Sequence, residues 1–403
     1  MSDDEKSEKG ATTVKKPPAA TPEQKTPETP TPKGKPSEAK PKGKDANGDD
    51  GMHMKPVSAE RCGDPLTIRQ GEVIVNGKRA YVVDKLLGEG GFGAVYRVHD
   101  RAEKHKEYAL KAEKKLSNRK HSKLKMEARP RAFVAILKLV VEERSADISH
   151  FTACIDRGKK ENFFFLVMEL VGKSLDDLKR LRSSKVFSMG TGIGAGIQCL
   201  EAVEDLHKHG FIHRDLKPAN YACGLKYKRH IIYLLDFGIA RRYKNDNGEL
   251  KAPRSYVAFK GTVRFCAINC HKCVELGPKD DLESWLYLLL DLVVQNGLPW
   301  NKYSCAVQEN RDLALKCKLE CRAARRAELF DGLRCADTFG RILAYIDGLQ
   351  YADRPDYNHV YNLLHCAANE CGVNPDAPYD WEMDAPAPTF RGARSKASTA
   401  RSN

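Results

Sequence analysis

A chain of 403 residues, 41% hydrophobic and 30% charged, has room for one large domain with tails or for two to three average ones. Its net charge of +14 is uneven: the first 60 residues balance 11 Lys against 11 acidic residues, the last 21 carry +3, and +11 falls between them. No stretch approaches the ~20 apolar residues that span a bilayer, and the best run, Trp285 to Val294, is broken by Asp291. The polar start MSDDEKSEKG has no apolar leader core, and Ser2 stands where N-myristoylation needs Gly. Thirteen Cys, an odd count, read as reduced thiols of an intracellular protein, cytoplasmic or nuclear, with no membrane partner. A basic body suits acidic or phosphorylated partners or a nucleic-acid surface; a merely solvated surface explains it equally well.

Residues 1–60 hold nine of the 20 Pro and no Cys or aromatic residue. Such a segment cannot bury enough apolar surface to offset the entropy of ordering, so a disordered Pro- and Lys-rich tail is expected. Its four Thr-Pro pairs, at Thr21, Thr26, Thr29 and Thr31, read as spacer chemistry or as phosphorylation sites. From Arg79 to Glu113 the β-rich runs RAYVVDKLL, AVYRVHD and EYALKAE alternate with turn residues. A basic, helix-compatible stretch follows, solvated from Lys114 to Arg131, before TACIDRG and NFFFLVMEL return to strand character. After about Ser174 the pattern turns helical. Leu200, Val203 and Leu206 share one face of a helix ending near Gly210, and a buried helix runs from Asp281 through WLYLLLDLVV. The expectation is an α+β fold: a small β-rich lobe over about 80–170, a larger helical lobe over about 172–382, and a disordered basic tail over 383–403.

The first chemical signal is Leu87-Gly88-Glu89-Gly90-Gly91-Phe92-Gly93-Ala94-Val95, where Gly88, Gly90 and Gly93 form G-x-G-x-x-G. In dinucleotide-binding folds a helix follows that pattern. Here the strand-like Val95-Tyr96-Arg97-Val98 follows, favouring a hairpin whose backbone N–H groups lie against phosphates; a plain Gly-rich hairpin is the alternative. Lys111, 18 residues after Gly93 and ending Tyr108-Ala109-Leu110, would bring one fixed positive charge to those phosphates. Ile212-His213-Arg214-Asp215-Leu216-Lys217-Pro218-Ala219-Asn220 matches H-R-D-L-x-x-x-N, in which Asp takes a hydroxyl proton and Asn helps to hold Mg2+. Asp236-Phe237-Gly238 follows 16 residues after Asn220, behind the apolar run IIYLL, with its Asp placed to coordinate the same metal. Any one tripeptide could arise by chance; the ordered set is very specific.

Over roughly residues 80–382 the chain resembles the eukaryotic protein kinase family. The resemblance implies a two-lobed kinase that moves the γ-phosphoryl of ATP, with Mg2+, to Ser or Thr of protein substrates. Asp215 would orient and deprotonate the hydroxyl, Lys217 and Lys111 would offset phosphate charge, and Asn220 and Asp236 would hold Mg2+. Lys217 and Gly261-Thr262 look like the serine/threonine form, whose Thr hydroxyl braces the catalytic Asp and Lys. Asp281 matches the buried Asp that anchors the catalytic loop. Met168 would be the gatekeeper, and Glu169 to Val171 the hinge that meets adenine.

Ala267-Ile268-Asn269, Gly261-Thr262-Val263-Arg264-Phe265 and Asp280-Asp281-Leu282-Glu283-Ser284 are similar to the casein kinase 1 group. Leu124-Lys125-Met126-Glu127, Lys217 to Gly224 and Pro378-Tyr379-Asp380-Trp381 look most like its tau-tubulin kinase branch. By that motif Glu127 would pair with Lys111. Pro130 follows three residues later, however, and Pro costs ~3 kcal/mol inside a helix, so Glu142 and Glu143 stay as alternatives. Arg264 stands where these relatives hold an anion beside the substrate, implying acidic or already phosphorylated substrates; its guanidinium could equally satisfy a neighbouring carbonyl or carboxylate. The rival function is a pseudokinase-like scaffold, which would normally lack one of these charges. Nucleic-acid binding has only the charge in its favour.

Two further features take plainer readings. Cys266, Cys270, His271 and Cys273 resemble metal ligands but fit no standard zinc spacing. Gly190, Gly192, Gly194 and Gly196 open a helix that they weaken by up to ~1 kcal/mol each relative to Ala.

Overall fold

A computed structural model describes residues 67–90, 93–115, 149–305 and 307–383. The two tails, Gly91, Phe92 and the stretch holding Glu127, Pro130, Glu142 and Glu143 lie outside the described residues. Six strands, β1 (Val73–Asn76), β2 (Arg79–Gly90), β3 (Gly93–Asp100), β4 (Glu107–Lys114), β5 (Cys154–Lys159) and β6 (Phe163–Glu169), form one antiparallel sheet in the order β1-β2-β3-β4-β6-β5. Period-2 alternation sets its faces: Ala94, Tyr96 and Val98 of β3 are buried with Leu110, Ala112, Phe165 and Val167, and the residues between them face the other way. The sheet begins at Val73, ahead of the expected start near 80, because the four-residue VIVN pairs with β2 through a turn at Gly77. So short a run carries too little periodicity to stand out in the sequence.

The second lobe is helical: α1 (Leu175–Leu181), α2 (Met189–Lys208), α3 (Pro278–Val293), α4 (Gln308–Glu320), α5 (Ala336–Gly348) and α6 (Tyr357–Cys371). Ser188 caps α2 by accepting the Thr191 N–H, and Leu200, Val203 and Leu206 are fully buried as their spacing requires. Every residue of α3 except Lys279 is buried. Such a helix is the hub of a lobe, not one of its walls. It starts three residues before the expected Asp281, with Pro278 in its first turn and the Asp280 carboxylate accepting the Gly277 N–H at 2.8 Å.

The glycines of α2 have a packing reason that offsets their cost in helix propensity. A Cβ on Gly192 would overlap Val293 of α3, and one on Gly194 would overlap the Pro375 carbonyl. The chain's last described turn, Asp380–Met383, is tied to the start of α2: the Asp380 carboxylate accepts the Ser188 N–H at 2.9 Å and the hydroxyls of Ser188 and Thr191 at 2.7 and 3.0 Å.

Candidate active site

Two short two-stranded ladders position the candidate catalytic residues. β7 (Phe211–Ile212) pairs with β10 (Arg241–Arg242), and β8 (Tyr221–Cys223) pairs with β9 (Ile232–Leu234). The second ladder matches Tyr221 with Leu234, and the Leu235 N–H donates to the Asn220 carbonyl at 2.8 Å. Asn220 and Asp236 therefore stand side by side at the open end of one ladder.

Asp281, 2% exposed on α3, holds the loop between them from below. Its carboxylate accepts the backbone N–H groups of His213 at 2.6 Å and Arg214 at 2.9 Å and lies 2.9 Å from His207 Nε2. Burial alone would raise this carboxyl; the hydrogen bonds and the charges of His207 and His213 outweigh it and hold Asp281 below its ordinary value. The anchored loop carries Arg214 at a φ of 70°, and Asp236 follows at 61°, both in the left-handed region that non-Gly residues rarely adopt. The His213 ring meets Phe237 edge-on at 5.3 Å, and Phe237 stacks on Phe151 at 5.9 Å, so the Asp236 turn rests on an aromatic column.

Asp215 sits on top of this frame. Its Oδ2 accepts Lys217 Nζ at 2.8 Å, its Oδ1 accepts the Thr262 hydroxyl at 2.7 Å, and Lys217 also donates to Thr262 Oγ1 at 3.0 Å. The triangle fixes the carboxylate while Lys217 keeps a positive charge beside it. Asn220 Nδ2 donates to the Asp215 carbonyl at 2.8 Å, which leaves its amide oxygen as a ligand atom. That oxygen and the half-exposed Asp236 carboxylate are hard donors of the kind Mg2+ takes together with phosphate oxygens. The donor set fits the metal.

From the other lobe, Lys111 reaches Asp236 Oδ1 at 3.0 Å. It ends up there because β4 pairs with both β3 and β6: Lys111 lies opposite Val95 and Leu166, and Ala109 opposite Met168. Val95, Ala109 and Lys111 thus share the cleft face of the sheet. Ala94 does not. At 2% exposure its side chain points into the core with Leu110 and Ala112, so what Ala94 offers a nucleotide is its backbone. Gly88, Glu89 and Gly90 pair with Val95, Ala94 and Gly93, and Leu87 lies exposed in a bulge between the Leu86–Tyr96 and Gly88–Val95 pairs. A Cβ on Gly93 would overlap the Ala112 carbonyl, so the loop needs glycine there to lie close over β4. Beyond Met168, the hinge residues Glu169 and Val171 run into Gly172, whose N–H donates to the Cys223 carbonyl at 2.7 Å and straps the hinge onto β8.

The activation segment, from Asp236 to Glu275, is tied down by other residues. Buried Glu275 pairs with Arg241 at 3.2 Å and with Arg254 at 2.5 Å. Burial and its neighbours Arg241 and Arg254 pull Arg214 down to about 10, so it remains charged at neutral pH. Arg264 is engaged by an internal carboxylate: its guanidinium bonds Asp291 of α3, which is fully buried and also takes Lys179 Nζ at 2.5 Å. Arg264 thus makes the internal contact open to it in the sequence, and with Lys179 it gives the buried Asp291 two cationic partners. Glu283, quoted in the sequence only as part of a motif, accepts the Ile268 N–H at 3.0 Å and pairs with Arg322 at 2.7 Å, anchoring the segment's end. Lys318, fully buried on α4, had no sequence signal at all; it donates to the carbonyls of Val263 and Cys266 at 2.9 and 2.6 Å.

Residues 81–326 match the protein kinase domain family. A Dictyostelium discoideum protein provisionally named a serine/threonine-protein kinase is 31% identical over 307 residues, covering 76% of this chain and 57% of that protein. The Caenorhabditis elegans serine/threonine-protein kinase spe-6 is 32% identical over 294 residues, 73% of each chain. Another C. elegans protein, C03C10.2, provisionally named a casein kinase I, is 30% identical over 333 residues, 80% of this chain and 89% of its own. With the family match over residues 81–326 and these relatives, the chain belongs to the serine/threonine protein kinase family.

Proposed function

We propose that this kinase transfers the γ-phosphoryl of ATP to Ser or Thr hydroxyls of protein substrates through Asp215, and that it falls in the casein kinase 1 group, on its tau-tubulin kinase branch. The observation that carries the reaction is the triangle of Asp215, Lys217 and Thr262 facing the Lys111–Asp236 pair, at 2.7–3.0 Å throughout. Asp215 accepts the proton of the attacking hydroxyl while Thr262 keeps its carboxylate aimed. Lys217 offsets charge on the transferred group, and Lys111 holds the α- and β-phosphates against the sheet. Asn220 and Asp236 would hold Mg2+, which would supply charge neutralisation at the phosphates when bound. Phosphoryl transfer needs positioning and charge compensation more than covalent help, and all six of these side chains provide one or the other.

The group assignment is supported by the GTVRF and AIN stretches, and the branch by the PYDW turn that locks onto α2. A preference for acidic or phosphorylated substrates now rests on the +11 of the body, since Arg264 is engaged with Asp291. The cysteines support a reducing intracellular setting, cytoplasmic or nuclear.

The test is ATP turnover by the purified full chain with and without a Ser/Thr peptide array, in the presence of Mg2+. Peptide-dependent ADP formation with phosphate on Ser or Thr is expected. ATP binding without turnover would make the chain a scaffold. Acidic peptides should lose their advantage as salt rises.

A further inference from the structure

Cys266, Cys270, His271 and Lys318 form a cluster that the phosphoryl-transfer chemistry does not use. Cys266 Sγ lies 3.2 Å from His271 Nε2, which lies 3.1 Å from Lys318 Nζ, and Lys318 is 3.8 Å from Cys266 Sγ. Cys266 and Cys270 share one buried cluster four residues apart, and the Cys270 thiol donates to the Lys260 carbonyl at 3.0 Å. His271 is half-buried, which puts the group one side chain from solvent, and its buried Nδ1 has no hydrogen-bond partner among the described residues.

We propose that Cys266 and Cys270 form a peroxide-sensitive dithiol, with Cys266 the attacking sulfur and Cys270 the resolving one, whose oxidation to a disulfide switches off the kinase reaction proposed above. The chemistry follows from the neighbours. An ammonium and an imidazole beside one sulfur favour its thiolate. Burial would raise the Cys266 thiol, but its neighbours Cys270, Lys318 and His271 outweigh it. The thiolate attacks one oxygen of hydrogen peroxide: an S–O bond forms, the O–O bond breaks, and hydroxide leaves, taking a proton from the Lys318–His271 pair. Cys270 then attacks the resulting sulfenic sulfur. The S–S bond forms, and hydroxide departs with the Cys270 proton as water. Two thiols are oxidised by two electrons, and one peroxide is reduced to two waters.

The disulfide would reach the active site through the backbone. The Cys266 N–H donates to the Thr262 carbonyl at 2.9 Å, and Thr262 is the residue whose hydroxyl aims Asp215. Drawing Cys266 toward Cys270 disturbs the turn that ends in that hydroxyl. A shift of ~1 Å in a positioning group can lower the rate about 100-fold.

Cleavage after Arg264 and Lys272 releases Phe265 to Lys272, which contains both cysteines and no third. After brief treatment of the full chain with hydrogen peroxide, that peptide should lose two hydrogens and resist alkylation. Peptide phosphorylation should fall by about 100-fold and return with dithiothreitol. Cys270→Ala, checked by a cooperative melting transition, should keep basal activity and lose the reversible step; Cys270→Ser provides the same arm should the alanine melt early. The mapping stands even if no turnover is found, so failure of the kinase reading and failure of this one are told apart. A peptide that stays alkylatable, or an activity loss that maps instead to Cys317 and Cys321, where Arg325 lies 3.5 Å from a sulfur, would overturn the proposal.

Discussion

In the catalytic loop, partners are near in sequence or sit on a motif of their own: Asp215 bonds Lys217 two residues on, and Asn220 bonds the Asp215 carbonyl five residues back. In the activation segment they come from far away. Arg264 reaches Asp291, Cys266 and Val263 are held by Lys318, and Ile268 is held by Glu283. The first region arranges its charges toward open space where a substrate would sit. The second turns them inward, where each is consumed by a buried opposite. The two regions thus differ in who their charges are for, and breaking a pair of the inward set should cost the more stability.

That contrast can be broken at several points. The largest effect is expected at Asp215→Asn, which removes the proton acceptor and keeps its size. Phosphoryl transfer should fall about 1,000-fold or more, with ATP affinity and melting temperature close to wild type. Steady-state kinetics beside nucleotide titration checks it, and near-normal turnover would remove Asp215 from the mechanism. Arg264→Ala should do the reverse, leaving fully buried Asp291 with Lys179 alone and costing about 3 kcal/mol in a denaturant melt, while activity on unmodified peptides falls far less than for Asp215→Asn. Adding Asp291→Asn should recover part of the loss. A stable Arg264→Ala protein that loses selectivity for phosphorylated peptides would return Arg264 to the substrate.

A subtler contrast lies between neighbours on α3. Burial pushes Asp280 up to about 7, above its ordinary 3.8, so the native state holds a proton that the unfolded chain has released. Its influence is a loss of stability as pH climbs from 3.8 to about 7. Asp281 has the opposite sign: its lowered carboxyl stabilises the fold above the ordinary value and ceases to do so as pH falls. Asp280→Asn should therefore raise the melting temperature more at pH 8 than at pH 5. Equal shifts at both would mean that Asp280 is ionised throughout. The smallest effect is expected from trimming the chain to residues 61–390, which should melt cooperatively and keep its turnover; loss of the transition would make a tail structural.

The sequence was most legible where function is local. Glycine loop, Lys111, Asp215, Asn220 and Asp236 announce themselves because each role needs one residue type at a fixed place. The strands and the buried helix were legible through periodicity, except β1, which is too short to show any. Long-range charge pairing was almost silent. Asp291 left one trace, as the single break in an apolar run, and Lys318 left none, because it is one of several charged residues scattered among the apolar ones of its helix. The direction of Ala94 follows from register, which a Gly-rich strand with two bulges does not specify locally.

The glycines of α2 also bear on how this protein could be engineered. Replacing helical Gly by Ala ordinarily stabilises by trimming the freedom of the unfolded chain. At Gly194 the added carbon would press on the Pro375 carbonyl, a backbone atom with no rotamer in which to retreat. A library built on helix propensity would rank that change among the most attractive and find it among the most damaging. The route to a hardier protein runs through its exposed loops, since the centre of the helical lobe has already exchanged intrinsic helix strength for closeness of approach.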